Sequence, residues 1–542
     1  MFWARGFAKA PRFLLVSLII AAILDETTIY DRREQLKRMT NGQGLGDAYG
    51  VALDRIKAQG TGKSRLGMAA LMWISRSERP MSSDELCHAL GIQIGSTDPN
   101  PDGIPSIQTL LASCLGLVTV DKGGSAVRLV HFTLQEYLNS CPEVFQNPYA
   151  VMAQACLTYL NFECVRKLPP SLNPDPQEHP FLNYASSYWG YYARNDTTGR
   201  VKTLALRLLD KFDSHISARL LLYPHVDELR RTMAGHPKGF TGLHCVAYLG
   251  VHEIAEALLY MRDWDVNKAD LVGRTPLIWA SKNGCERMIR LLLEKGGADV
   301  NTRDTMYGQT PLSWAAEYGQ EGAAKLLLGS NEVNTELPDE YGRTPLSHAA
   351  ELGREGIVKL LLEREGVDPE SRDNSGRTPL SHAASGSSHG IPGLLRLLDN
   401  LNSGLDRGSL APRFDPGDTD WDYGVAQLDI KPGVDLASRE GTLKLLLEWD
   451  KVNPESRDNN NRTPLYWAVW SGERGIVNLL LELDGVNPEW RAVDGETPLS
   501  LATRQGKVEI ENLLRKRQEV DPNPRNNFSP PSPPPGSSIF FI

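Results

Sequence analysis

The stretch Asp339-Glu340-Tyr341-Gly342-Arg343-Thr344-Pro345-Leu346-Ser347-His348-Ala349-Ala350-Glu351-Leu352-Gly353 decides the fold. Asp339 to Gly342 reads as a turn, because glycine tolerates positive φ. Thr344 caps a helix and Pro345 occupies its first turn, where an absent N–H costs nothing. Ala349 and Ala350 keep that helix thin, so a neighbour can approach closely, and Gly353 ends it. Ile357-Val358 and Leu360-Leu361-Leu362 then supply the apolar stripe of a second helix, and Gly366 to Pro369 leads to the next turn. Such a helix pair cannot bury its apolar face alone; stacking with further copies closes the core.

Working outward, Thr-Pro-Leu recurs at Thr275, Thr310, Thr344, Thr378, Thr463 and Thr497, after a degenerate copy at Thr241-Gly242-Leu243-His244. Successive threonines lie 34, 35, 34, 34, 85 and 34 residues apart. The long interval is one ordinary step carrying an insertion near 385–436. The unit resembles the ankyrin repeat over residues 237–522, about seven copies. That resemblance implies a mainly α chain, an ankyrin-repeat α-solenoid that takes a protein partner on its concave face. The family's histidine after Pro-Leu stands only at His244; the equivalent positions hold Ile278, Ser313, Ser347, Ser381, Tyr466 and Ser500. The next position is large, as in Trp279, Trp314, His348, His382 and Trp467, and is expected to pack between repeats rather than bind metal.

By the same resemblance, the residues after the Ala-Ala pair and those beside the turn glycine face outward. They are Lys282-Asn283, Glu317-Tyr318, Glu351-Leu352, Trp470-Ser471 and Arg504-Gln505, with Arg274, Arg343, Arg377 and Arg462 beside the turns. Tyrosine, tryptophan and arginine are the types that dominate interface energetics. The alternative expectation is that Trp470 covers a neighbouring helix and that the arginines pair with nearby acids. Lys507, Arg515, Lys516 and Arg517 mark the last repeat as a polar cap. Leu361 is expected to be buried.

Upstream, residues 66–140 read as helices followed by a two-stranded wing, Leu117 to Val120 and Val127 to His131 around Lys122-Gly123-Gly124, hence a small winged-helix-like helical domain. Only Lys122 and Arg128 are cationic between 101 and 150, which disfavours a nucleic-acid surface. The phrases Ser77 to Leu90 and Val127 to Leu138 resemble the arm that follows the nucleotide-binding core in fungal NACHT–ankyrin, NLR-like proteins. These are signal-transducing ATPases linked to non-self recognition and programmed cell death. On that reading 1–65 is a remnant helical segment after a missing NACHT core, 141–236 is a helical linker and 523–542 is a disordered Pro/Ser-rich tail. The alternative is that this chain is a truncated version of a complete ATP-binding NACHT signalling switch in non-self recognition or programmed cell death.

Other chemistry is excluded residue by residue. Gly60-Thr61-Gly62-Lys63-Ser64 holds the G-K-S of a phosphate loop, but the required earlier glycine is Lys57 and a helix precedes it. His131 stands where relatives place a histidine near the nucleotide; without the core it reads as a satisfied histidine at a strand end. Asp418, Asp420 and Asp422 faintly resemble a calcium loop, yet Tyr423 replaces its glycine and Pro432 blocks the exit helix. No catalytic signature appears, so neither enzyme activity nor a cofactor is expected. The apolar run Phe13 to Leu24 is too short to span a membrane; it reads as a buried helix, with a signal peptide as the alternative. The net charge is −9, divided as +3 over 1–236 and −12 beyond. An acidic C-terminal half argues against nucleic acid as partner. Seven cysteines with no CxxC pair fit reduced thiols and a cytoplasmic location.

Overall fold

The computed structural model describes residues 27–40, 45–121, 126–170, 175, 177–222, 238–261, 264–386 and 436–520. The apolar run at 13–24, the wing turn, most of the insertion with its aspartates, and the C-terminal tail lie outside them. The chain divides into two compact units, one holding the described residues up to Asp304 and the other those from Thr305 onward.

The first unit opens with α1 (Ile29–Thr40), α2 (Leu45–Lys57), α3 (Thr61–Arg76), α4 (Ser83–Gly91) and α5 (Ile107–Ser113). Ser82 and Glu85 cap α4 reciprocally, and Ser106 caps α5. The wing follows as β1 (Val118–Val120) and β2 (Val127–Leu129), antiparallel, with Thr119 opposite Arg128. Met81 bridges to Val127 as a third short contact. Helix α6 (Phe132–Ser140) closes this winged-helix domain.

The region read as a helical linker is a packed helical body. It comprises α7 (Pro148–Leu160), α8 (Glu163–Arg166), α9 (Leu182–Asn195), α10 (Gly199–Leu209) and α11 (Ile216–Leu222), with α7 packed on both α9 and α10. Trp73 of α3 meets Phe181, Tyr184 and Tyr192 at centroid distances of 5.7, 6.2 and 6.3 Å, so the winged-helix domain and this body share one aromatic core. Irregular aromatic spacing hides such a core from a periodicity reading. Two helix pairs complete the unit: α12 (Gly242–Leu249) with α13 (His252–Met261), and α14 (Pro276–Lys282) with α15 (Glu286–Glu294).

The second unit is a stack of five pairs: α16 (Pro311–Tyr318) with α17 (Glu321–Leu328), α18 (Pro345–Glu351) with α19 (Glu355–Leu362), α20 (Pro379–Ser385) with α21 (Leu436–Leu447), α22 (Pro464–Ser471) with α23 (Arg474–Leu481), and α24 (Pro498–Arg504) with α25 (Val508–Val520). The insertion therefore separates the two helices of one repeat. The pair nevertheless closes: Arg439 of α21 donates to the carbonyls of Ala383 and Ala384 at 3.1 and 3.3 Å. Each Thr-Pro-Leu threonine caps its helix by accepting the N–H three residues on, as Thr310 does from Ser313 at 3.1 Å. Successive turns are joined by backbone bonds, from Glu340 N–H to Tyr307 carbonyl and from Asn374 N–H to Tyr341 carbonyl, both 2.8 Å.

The serine departures have a visible consequence. His244 reaches from Thr241 of its own repeat to the Arg274 carbonyl of the next, at 3.2 Å. Ser347 is too short for that span and meets its own Thr344 hydroxyl at 3.3 Å. Thr344 makes the crossing instead, to Ser371 at 3.1 Å. In the last repeat Lys507 does not decorate an outer surface. Its ammonium donates to the Val469 and Trp470 carbonyls at 2.9 and 2.6 Å, capping the C-terminus of α22.

Candidate protein-interaction strip

The site begins at the turn aspartate. Asp339 Oδ1 accepts the backbone N–H groups of Tyr341 and Arg343 at 2.8 and 2.9 Å, which shapes the turn. Its Oδ2 accepts from His348 Nε2 at 3.1 Å and from Arg343 Nε at 3.0 Å. The pattern repeats at Asp373, bound by His382 at 3.0 Å, and at Asp270, bound by the Trp279 indole at 2.9 Å. At Trp279, His348 and His382 the large residue after the serine position is therefore a ring N–H donor as well as a packing group. Its spacing of nine from the aspartate was legible in the sequence and was overlooked. In the last repeat acceptor and donor vanish together, as Ala492 and Leu501.

On this base, in four repeats the residue before the threonine meets the residue eight positions later on one side of the first helix. In the second unit Gln309 donates to Glu317, Arg343 pairs with Glu351 at 3.1 Å, Arg377 donates to Ser385, and Glu496 pairs with Arg504 at 2.7 Å. Arginines also lie on aromatic faces: Arg343 over Tyr341 at 5.1 Å, Arg377 over Trp467 at 4.1 Å, and Arg462 over Tyr466 at 5.1 Å. In the first unit Arg274 and Lys282 both lie over Trp279, at 5.0 and 5.4 Å.

These contacts correct the expectation that the whole set faces outward. Arg274, Lys282, Glu317, Glu351, Leu352 and Arg377 are all buried, because each polar side chain is drawn across the helix toward a pair partner, a ring or both, and Leu352 packs where the helix ends. Asn283 is exposed, its amide donating to the Tyr248 carbonyl at 2.8 Å. Tyr318, Arg343, Arg462, Trp470 and Ser471 are half-buried. Tyr318 leans on Trp314 at 5.8 Å and Trp470 on Trp467 at 5.8 Å. Ser471 donates to the carbonyls of Ala384 and Ala468 at 3.2 and 3.0 Å. The alternative expectation, arginines paired with acids, describes Arg343 and, at the longer distance of 3.7 Å to Asp494, Arg462.

The remaining motifs sit in ordinary places. Thr61 to Ser64 form the first turn of α3, preceded by helix α2 rather than a strand, with Lys63 exposed. His131 caps α6, its Nδ1 accepting from the Thr133 N–H at 3.3 Å. Among the described residues no group of His, Cys, Asp or Glu could hold a metal ion, and no helix is long and apolar enough to cross a membrane.

Comparison with known proteins bears on this geometry. A family profile of ankyrin repeats in three copies matches residues 212–304, 243–338, 312–406 and 435–526, together more than half of the chain. The winged-helix domain of GPI inositol-deacylase matches residues 53–152. No curated protein matches. Among solved structures, the human ASB11 ankyrin repeat domain is similar at 20% identity and a TM-score of 0.36, covering 54% of this chain and 99% of its own. The ankyrin repeat domain of Bcl-3, a member of the IkappaB family, is similar at 22% and 0.35, covering 51% and 99%. The ankyrin repeat protein EF0377 is similar at 21% and 0.32, covering 45% and 97%. With seven Thr-capped helix pairs and a profile match over more than half its length, the chain belongs to the ankyrin repeat family.

Proposed function

We propose that this chain is a non-enzymatic protein-interaction scaffold whose ankyrin stack holds a protein partner through the strip beside its first helices. One observation carries the reading. Within the second unit the scaffold positions repeat, Thr-Pro-Leu above all, while the strip position eight residues after the arginine site varies, from glutamate at Glu317 and Glu351 to Ser385, Trp470 and Arg504. A constant frame with a varied strip is what recognition on a repeat array requires. The winged-helix match at 53–152 and the two N-terminal phrases support descent from an NLR-like receptor. Seven unpaired cysteines support a reducing, cytoplasmic setting.

The test uses the full chain as bait and reads partner capture and melting on one set of variants. Tyr318→Ala and Trp470→Ala are expected to weaken capture by about 1–4 kcal/mol, the hot-spot range, while melting stays near wild type. Capture unchanged by either substitution would remove the strip from the interface.

A further inference from the structure

Repeats five and six break the pairing rule of the strip. Arg343 has Glu351 eight residues on, and Glu496 has Arg504, so those pairs neutralise themselves. Arg377 donates to the hydroxyl of Ser385 and, at 3.5 Å, to the Ser381 carbonyl, and the residue eight after Arg462 is Trp470. Both arginines lie over the same indole, Trp467, at 4.1 and 5.6 Å. Three N–H donors around this point are buried with no acceptor: Arg377 Nε, Arg462 Nε and Trp467 Nε1. Arg377 and Trp467 are themselves more than nine-tenths buried. A buried polar group left without a partner is costly, so convergent donors of one polarity point to an absent acceptor.

The indole makes the same point by comparison. In the first unit the equivalent Trp279 donates to its turn aspartate at 2.9 Å. Trp467 has the aspartate, Asp458, at the same spacing, yet its N–H carries no bond. Arg462 reaches Asp494 only at 3.7 Å, and Asp494 is half-exposed. Burial pulls the Arg377 guanidinium below its ordinary range despite the charges of Asp373, Glu351 and Asp458, so its cation remains undercompensated. Access is from the Arg462 side, where that side chain is 27% exposed beside half-buried Trp470.

We infer that Arg377, Arg462 and Trp467 form an acceptor site for a carboxylate, and that the partner presents an acidic, Asp- or Glu-bearing segment to repeats five and six. This rests on the scaffold reading and names the chemistry of its partner. Two guanidinium groups and one indole N–H offer charge and donors to two carboxylate oxygens. The flanking Asp373, Glu351 and Asp458 favour a monoanion over a dianionic phosphate, because like charges at this range repel.

The experiment titrates the full chain, labelled at its 11 tryptophans with nitrogen-15, with a fluorescent peptide of alternating glycine and glutamate. Trp467→Phe assigns the indole resonance. Glutamine and phosphoserine versions of the peptide serve as comparisons. Saturable binding of the glutamate peptide, a moved Trp467 indole signal and at least tenfold weakening by Arg462→Gln are expected, with no binding of the glutamine peptide. Arg377→Gln should act likewise; if it unfolds the repeat, Arg462→Gln decides alone. A static Trp467 signal at saturation, or equal binding of the glutamine peptide, would overturn the site, and tighter binding of the phosphoserine peptide would overturn its assignment to carboxylates. If the peptide fails while Tyr318→Ala and Trp470→Ala still release a captured partner, the scaffold stands and only this site falls.

Discussion

Asp339 holds its repeat together with two oxygens. Burial pushes its carboxyl up, but the His348 hydrogen bond and the His348 and Arg343 charges more than offset this and hold it at about 2. A depressed acid contributes stability that is complete above its unfolded value near 3.8 and is lost as pH falls through 2. Asp339→Ala also strands Arg343 and His348, so it should cost about 3–5 kcal/mol at neutral pH, measured by chemical denaturation. Glu336 and Glu455 run the other way. Each accepts one backbone N–H of the following repeat, from Asp368 at 3.3 Å and Asn487 at 3.0 Å, and burial raises both to about 7. Their contribution is complete below 4.5 and is lost as pH rises through 7. Melting of Glu336→Gln should therefore match wild type at pH 4.5 and exceed it at pH 8; equal melting at both would remove Glu336 from the pH response.

Within one helix pair, two glycines that look alike in sequence have opposite roles. Gly342 sits in the turn at φ +81°, and a Cβ there would come within 2.7 Å of the Asn374 backbone nitrogen. Backbone cannot yield, so Gly342→Ala should destabilise by about 1–3 kcal/mol. Gly356 opens α19 with ordinary φ, and its added Cβ would meet only the carboxylate end of Glu321. That side chain can swing away while alanine gains about 0.5–1 kcal/mol over glycine in a helix. Gly356→Ala should thus stay within about 0.5 kcal/mol of wild type, offset by the displaced carboxylate. Leu361 is fully buried on α19, as its stripe position indicates, and Leu361→Ala should cost about 2–5 kcal/mol. A melting curve unchanged by Leu361→Ala would mean that the register is wrong.

For the whole molecule, the interrupted repeat is the informative one. Helices α20 and α21 pair across the insertion, with Arg439 bonded to both Ala383 and Ala384 and also to Glu473 of the next repeat at 2.8 Å. Deleting residues 387–437 returns the spacing from Thr378 to Thr463 to 34. Coupling in a repeat stack is nearest-neighbour, and long surface loops cost little closure entropy. The deletion should therefore leave melting within a few degrees of wild type. A collapse of the C-terminal pairs on deletion would show that the insertion is part of their core.

The sequence by itself determined the repeat period, the helix caps, the site of the insertion and the buried stripe of each second helix. These are local: capping, turn chemistry and apolar spacing act within a few residues and recur in every copy. The two-stranded wing after the helices of 66–140 was legible for the same reason. Only the tertiary structure decided which strip residues stay open. Arg343 beside Glu351 and Arg377 on Trp467 are choices between solvent and a partner brought near by packing, and no spacing rule weighs those free energies. It also decided that helices α7 to α11 form a packed body, since Trp73 meets Phe181 and Tyr192 from more than a hundred residues away. The donors left without acceptors at Trp467 and the two arginines appear only once repeats five and six are stacked, because an orphaned group is defined by its neighbours in space.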